Sequence, residues 1–257
     1  MNHKKRLIVA NWKMKLSNRE SINLAEEIVD RFAGMYLNER NIEMIICPSH
    51  ISLAEVGKIV DRSPIKLGVQ NIFYHNTGSY TGQISPAVAH ELGAEYAIIG
   101  HSEFRKYGKD TNEDVHQKIK AALDNELVPI VCVGETFDEY HDKKTEVIII
   151  DQVTKALEDI KLKENQRIVI AYEPVWVIGS GQAIRHNIVE YIIQIIIHTT
   201  IDLDQSFADK FQVIYGGSVD EKNINDFIIG NILTGVIVGN NSLKVDSFMK
   251  IVQNIKL

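Results

Sequence analysis

The sequence predicts a single (β/α)8 barrel of eight parallel strands, and three observations carry that prediction. Short β-branched apolar runs alternate with helical patterns eight times along the chain. The length of 257 residues is typical of one closed barrel, so residues 1–257 are expected to form one catalytic unit. No Pro- or Gly-rich linker interrupts the rhythm. An eight-stranded doubly wound sheet is the topological alternative that the pattern leaves open.

The elements follow in order. Residues 7–10 form the first strand. Ser17, with Glu20 three positions on, is a capping box for a helix carrying Ile22, Leu24, Ile28, Val29 and Phe32. Residues 42–47 make the second strand, with a short helix over 52–60, and residues 65–69 make the third. A polar connection over 71–85, rich in Asn, Gly, Ser, Thr and Tyr, is long enough to be a functional or interface loop. A short helix over 86–92 stops at Gly93. Strand four is 96–99, with a helix over 112–123. Strand five is 128–133, with a helix over 144–157. Strand six is 167–171. The helix expected over 188–199 contains the β-branched run 192–197, which suits a strand equally well. Strand seven is 211–215, with a helix over 222–229. Strand eight is 236–238, and the last helix spans 247–255.

Composition narrows the function. The chain is 45% hydrophobic and 24% charged, which suits a soluble protein with a large core. Its formal net charge of −6 argues against nucleic acid as a partner. The two cysteines, Cys47 and Cys132, each close an apolar run and fit no metal spacing, so a reduced, cytoplasmic protein without a metal is expected. The basic start at residues 1–6 precedes an apolar run too short for a signal peptide. The longest later apolar run, 191–197, is far short of a membrane span.

The stretch around Glu173 concentrates the chemistry. A buried strand delivers this carboxylate into Pro174-Val175-Trp176 and a Gly179-Ser180-Gly181 hinge. It reads either as a general base under an apolar lid containing Trp176 and Ile178, or as a strand-end Glu capping the next helix. In a barrel, residues just after each strand share one mouth. Asn11 and Lys13 follow strand one, His101 and Glu103 strand four, Gly216, Gly217 and Ser218 strand seven, and Gly239, Asn240 and Asn241 strand eight. Taken singly, a His, a Lys or a Gly-Gly turn at a strand end is ordinarily structural. Together they suit a small phosphorylated carbonyl compound, its anion held by backbone N–H groups at the glycine turns.

Five segments carry a resemblance. Asn11-Trp12-Lys13-Met14, Ile98-Ile99-Gly100-His101-Ser102-Glu103, Cys132-Val133-Gly134-Glu135, Ala171-Tyr172-Glu173-Pro174-Val175-Trp176 and Tyr215-Gly216-Gly217-Ser218-Val219 are similar, in order and spacing, to the motifs of the triosephosphate isomerase family. The similarity runs over nearly the whole chain. It implies isomerisation of dihydroxyacetone phosphate and glyceraldehyde 3-phosphate through a cis-enediolate, in glycolysis and gluconeogenesis. Glu173 is then the base, His101 a neutral imidazole that polarises the carbonyl, and Lys13 the fixed positive charge. Asn11 adds a hydrogen bond, and Glu103 holds Lys13. Gly179, Ser218, Gly239 and Asn240 are the implied phosphate contacts. Pro174, Val175, Trp176, Val177, Ile178, Gly179, Ser180, Gly181, Gln182, Ala183 and Ile184 form the implied lid, and the chemistry requires no cofactor.

Several positions depart from the family pattern. Phe104 stands where Arg is usual, and Thr81-Gly82-Gln83 where Thr-Gly-Glu is usual. In relatives that Arg and that Glu pair across a dimer interface. Losing both avoids stranding one charge, so a homodimer through the loop 71–85, with Thr81, Gln83 and Phe104 at its interface, is expected without this ion pair. Gly239-Asn240-Asn241-Ser242 replaces Gly-Gly-Ala-Ser, and Gln182 replaces a Lys in the lid. These changes read as drift at exposed positions, or as adaptation to a larger sugar phosphate such as a tetrulose phosphate. A non-catalytic phosphate-binding barrel is a further alternative, but it would be expected to have lost Glu173 or His101.

Overall fold

The computed structural model describes residues 5–33, 35, 41–177, 184–228 and 232–255. Eight parallel strands pair in chain order and close into a barrel: β1 (Arg6–Asn11), β2 (Ile42–Cys47), β3 (Lys66–Val69), β4 (Ala94–Ile99), β5 (Val128–Val133), β6 (Ile168–Tyr172), β7 (Phe211–Tyr215) and β8 (Gly235–Val238). β1 pairs with both β2 and β8, Ile8 lying opposite Met44 on one side and Val236 on the other. That closure rules out the open doubly wound sheet.

Strand alternation sets which residues see the barrel interior. Leu7, Val9, Ile45, Ile98, Ile130, Cys132, Val169 and Ala171 pack into one central cluster. Their neighbours Ile8, Ala10, Val131 and Ile170 face outward, into the shell between strands and helices. Two consequences matter for the site. Asn11 is in phase with Leu7 and Val9, and Glu173 is in phase with Val169 and Ala171, so both enter the mouth from above the interior cluster. At the opposite end, Arg167 Nη2 donates to Glu43 Oε1 at 2.8 Å, and the Tyr96 hydroxyl bonds both groups.

The helices are α1 (Asn18–Phe32), α2 (Leu53–Val60), α3 (Pro86–Glu91), α4 (Asn112–Asp124), α5 (Phe137–His141), α6 (Thr145–Leu157), α7 (His186–Leu203), α8 (Ile224–Phe227) and α9 (Val245–Asn254). The Ser17 and Glu20 capping box opens α1 as expected. The β-branched run 192–197 is helical within α7, because Ile192, Ile193 and Ile196 supply a buried face at helical spacing. The helix expected over 222–229 shortens to α8. Asp220 Oδ1 accepts the N–H groups of Lys222 and Asn223, and Asn223 Oδ1 accepts the Asp220 N–H, a local turn that delays helical winding. Residue 229 lies outside the described residues. Sequence reasoning also passed over α5, which has its own Thr136 and Glu139 capping box, and the π-helical turn Phe104–Gly108. Among the described residues, no helix is long and apolar enough to cross a membrane.

Candidate active site

At the carboxyl ends of the strands lies a cavity of about 520 Å³. It gathers Asn11, Lys13, His101, Glu103, Glu173, Ser218, Gly239 and Asn240 on one wall system, so residues 229 positions apart in sequence meet there as the strand-end argument required. Gly179 and the lid residues Ile178, Gly179, Ser180, Gly181, Gln182 and Ala183 lie outside the described residues.

Lys13 is held in a costly conformation. Its φ of 54° is left-handed, which a side chain with a Cβ seldom adopts. Two side chains enforce it: Asn11 Oδ1 accepts the Lys13 N–H at 3.1 Å, and Gln70 Nε2 donates to the Lys13 carbonyl at 2.9 Å. The ammonium then donates to Glu103 Oε1 at 2.8 Å, the pairing that the motifs implied. Asn11 is therefore both a wall of the cavity and a clamp on the next strand-end cation. Gln70 was missed from sequence, although it directly follows β3 and so sits on the same rim.

His101 is buried, and its tautomer follows from its contacts. Nδ1 accepts the Glu103 backbone N–H at 3.2 Å, so in the neutral ring Nε2 carries the proton. Nε2 lies 3.3 Å from Glu173 Oε1. A donor and a carboxylate thus stand next to each other on the wall of the same cavity.

Glu173 is 2% exposed. Two glycines allow this placement. A Cβ on Gly134 would fall 1.8 Å from the Glu173 carbonyl oxygen, and one on Gly216 would fall 2.6 Å from Glu173 Cγ. The Glu173 N–H donates to the Val133 carbonyl at 2.8 Å, extending the strand pairing to this residue. Behind it lies Cys132. Burial, then the Glu173 charge, pushes this thiol well above its ordinary range.

The loop after Glu173 is tied back to β5. Glu135, fully buried, accepts from Trp176 Nε1 at 2.9 Å and from the Tyr172 hydroxyl at 3.3 Å. Its carbonyl accepts the Val175 N–H at 3.1 Å, and Tyr140 stacks on Trp176 with ring centroids 4.2 Å apart. Burial raises the Glu135 carboxyl above its ordinary range, opposed by the Trp176 and Tyr172 bonds. Glu135 was not among the sequence candidates. Its position two residues past β5 was the available signal.

On the far wall the turns after β7 and β8 are laced together. Asn241 Nδ2 donates to the Val219 carbonyl at 2.6 Å, and Asn223 Nδ2 to the Ser218 carbonyl at 3.0 Å. Ser218 Oγ reaches the Val177 carbonyl at 3.4 Å. Asn240 is exposed, while Asn241 is half-buried with its amide committed to the neighbouring turn.

The residues expected at an interface are placed separately from the cavity. Thr81 and Gln83 are exposed in the loop 71–85, which is folded on its own rings, with Phe73 to Tyr80 centroids 4.8 Å apart. Phe104 is half-buried over the Lys118 ammonium, 4.5 Å from ring centroid to Nζ.

The profile of the triosephosphate isomerase family matches residues 6–255. Among relatives, the triosephosphate isomerase of Dictyoglomus turgidum is 38% identical over 252 residues, 98% of this chain and all of that protein. That of Dehalococcoides mccartyi strain CBDB1 is 41% identical, covering 95% of this chain and 94% of its own. The crystal structure of triosephosphate isomerase from Bartonella henselae superposes with a TM-score of 0.85 at 32% identity, over 97% of this chain and 98% of that one.

Proposed function

The chain belongs to the triosephosphate isomerase family, and from that premise we propose how its residues divide the interconversion of dihydroxyacetone phosphate and D-glyceraldehyde 3-phosphate. Glu173 removes a proton from the carbon beside the carbonyl and returns it to the neighbouring carbon. His101 donates from Nε2 to the substrate oxygens as charge develops there. Lys13 contributes its fixed positive charge, with Asn11 as a further donor. The observation that carries this reading is the facing pair, Glu173 Oε1 and His101 Nε2 at 3.3 Å, with the His101 proton directed by the Glu103 N–H.

The phosphate is assigned to backbone N–H groups of the turns at Ser218, Gly239 and Asn240, with Gly179 from the lid. The four-carbon alternative has no support from Asn241, whose amide is spent on the Val219 carbonyl. A coupled assay tests the reading: kcat/KM for glyceraldehyde 3-phosphate should approach the diffusional range, roughly 10⁸–10⁹ M⁻¹s⁻¹. A higher kcat/KM for a tetrulose phosphate would overturn the choice of substrate.

A cytoplasmic homodimer belongs to the same reading. Exposed Met14, Ile51 and Tyr80 support an interface around the loop 71–85, where large apolar side chains otherwise face water. Sedimentation as an active monomer at micromolar concentration would remove that part of the proposal.

A further inference from the structure

Glu173 uses one of its two carboxylate oxygens in the cavity already described. Oε1 faces His101, whereas Oε2 is buried and, among the described residues, has no hydrogen-bond partner of good geometry, the weakly donating Cys132 thiol being the group that lies against the carboxylate. Leaving a carboxylate oxygen out of water and unpaired is unfavourable, and proteins rarely tolerate it without a compensating group.

Glu173 also lines a second, separate cavity of about 20 Å³. Its walls include Glu173 itself, Ser102, Arg105, Cys132 and Gly134. This volume accommodates one water, since a single probe sphere needs about 10–15 Å³, and it is too small for any substrate. Arg105 supplies a cation to it. Its guanidinium donates from Nε to the Gly100 carbonyl at 2.8 Å and from Nη1 to Asn112 Oδ1 at 2.7 Å. Nη2 reaches the Cys132 carbonyl only at 3.5 Å. Among the described residues these contacts occupy three of the five N–H donors of a guanidinium, leaving capacity at Nη2 beside the cavity. Burial pulls the Arg105 guanidinium down from its ordinary range, and acidic neighbours including Asp110 and Glu173 act in the opposite direction.

We propose that this cavity holds one water bridging Glu173 Oε2 to the Arg105 guanidinium, and that Arg105 is thereby a positioning residue for the base. The proposal rests on Glu173 being that base. The terminal torsion of a glutamate is broad and roughly two-fold, so packing alone fixes it weakly. A water whose own orientation is set by a cation, with the Ser102 hydroxyl as a further partner, fixes the plane of the carboxylate so that one oxygen stays directed to the substrate side. Arg105 touches neither substrate nor the reacting carbons and acts through the water.

An atomic-resolution crystal structure of the unliganded protein reads the water directly. One ordered water is expected within about 3.2 Å of Glu173 Oε2, and a dry cavity overturns the proposal whatever the kinetics show. Arg105→Lys and Arg105→Met form the functional arm. Both lose the bonds to Gly100 and Asn112, so a fall in melting temperature common to both reports the structural cost. Arg105→Met should lower kcat about 10–100-fold with KM within about twofold, and Arg105→Lys should stay within about threefold of the parent kcat. Equal loss of kcat in the two variants overturns the role of the charge. Glu173→Gln separates this from the reading beneath it. If it keeps the parent kcat, the assignment of the base fails and the proposal with it. If it is inactive while the cavity is dry, the base stands and the water bridge does not.

Discussion

Trp176 donates its indole N–H to Glu135 at 2.9 Å, across 41 positions of sequence. The bond joins the residue three beyond Glu173 to a carboxylate two residues past β5. Because Glu135 is fully buried, losing its best donor leaves a desolvated acceptor behind. Trp176→Phe keeps most of the apolar contact with Tyr140 but removes that donor. It should lower kcat about tenfold and cost about 1–3 kcal/mol of stability. Stopped-flow or steady-state kinetics together with a thermal melt checks both. An unchanged kcat would show that the Trp176–Glu135 bond does not bear on the proposed role of Glu173.

Glu135 also makes a prediction with a definite sign. Its folded carboxyl is raised by burial, so the stability it contributes is fully present below the ordinary carboxylate range. That stability is lost as pH rises through the folded value. Glu135→Gln cannot ionise and escapes the loss. The difference in melting temperature, variant minus parent, should therefore become more positive from about pH 4.5 to pH 8. A difference that is flat or falling over that window would show that the Trp176 and Tyr172 bonds outweigh burial.

Lys118 is 2% exposed, and its ammonium contacts both Asp110 oxygens and Asn71 Oδ1, the last at 2.9 Å. It thereby pins the root of the loop 71–85 to α4 and lies under Phe104. Lys118→Met strands Asp110 in a buried setting, an arrangement that costs about 3–5 kcal/mol. Chemical denaturation should show a loss of that size. A loss under about 1 kcal/mol would mean that Asp110 finds water in the variant.

Asn241→Ala removes the bond of 2.6 Å that links the turns after β7 and β8. Those turns carry the proposed phosphate contacts, while the proposed proton transfer is at Glu173. KM should rise about two- to fivefold with kcat changed less than twofold, the mark of binding shared by ground and transition states. A fall in kcat at constant KM would place Asn241 nearer the chemistry than the structure does.

Much of the site was legible because strand alternation and chain order are properties of local sequence. The apolar phase of Leu7 and Val9 determines that Asn11 points inward, and the phase of Val169 and Ala171 does the same for Glu173. Ser17 with Glu20 specifies the start of α1 without help from anything distant. The short α8 shows the limit of periodicity: Asp220 and Asn223 exchange hydrogen bonds that an apolar count does not register.

The sequence by itself determined the eight-fold strand-and-helix order and which strand ends carry a carboxylate, an imidazole and a cation. Only the tertiary structure decided which of those side chains touch. The left-handed Lys13 depends on Gln70, just after β3, and the segment after Glu173 depends on Glu135, two residues past β5. Glu173 shares a small cavity with Arg105 from beyond β4. Each contact joins residues that closure of the barrel brings within hydrogen-bond distance, and the directional, short-range character of hydrogen bonds leaves no periodic trace in the chain.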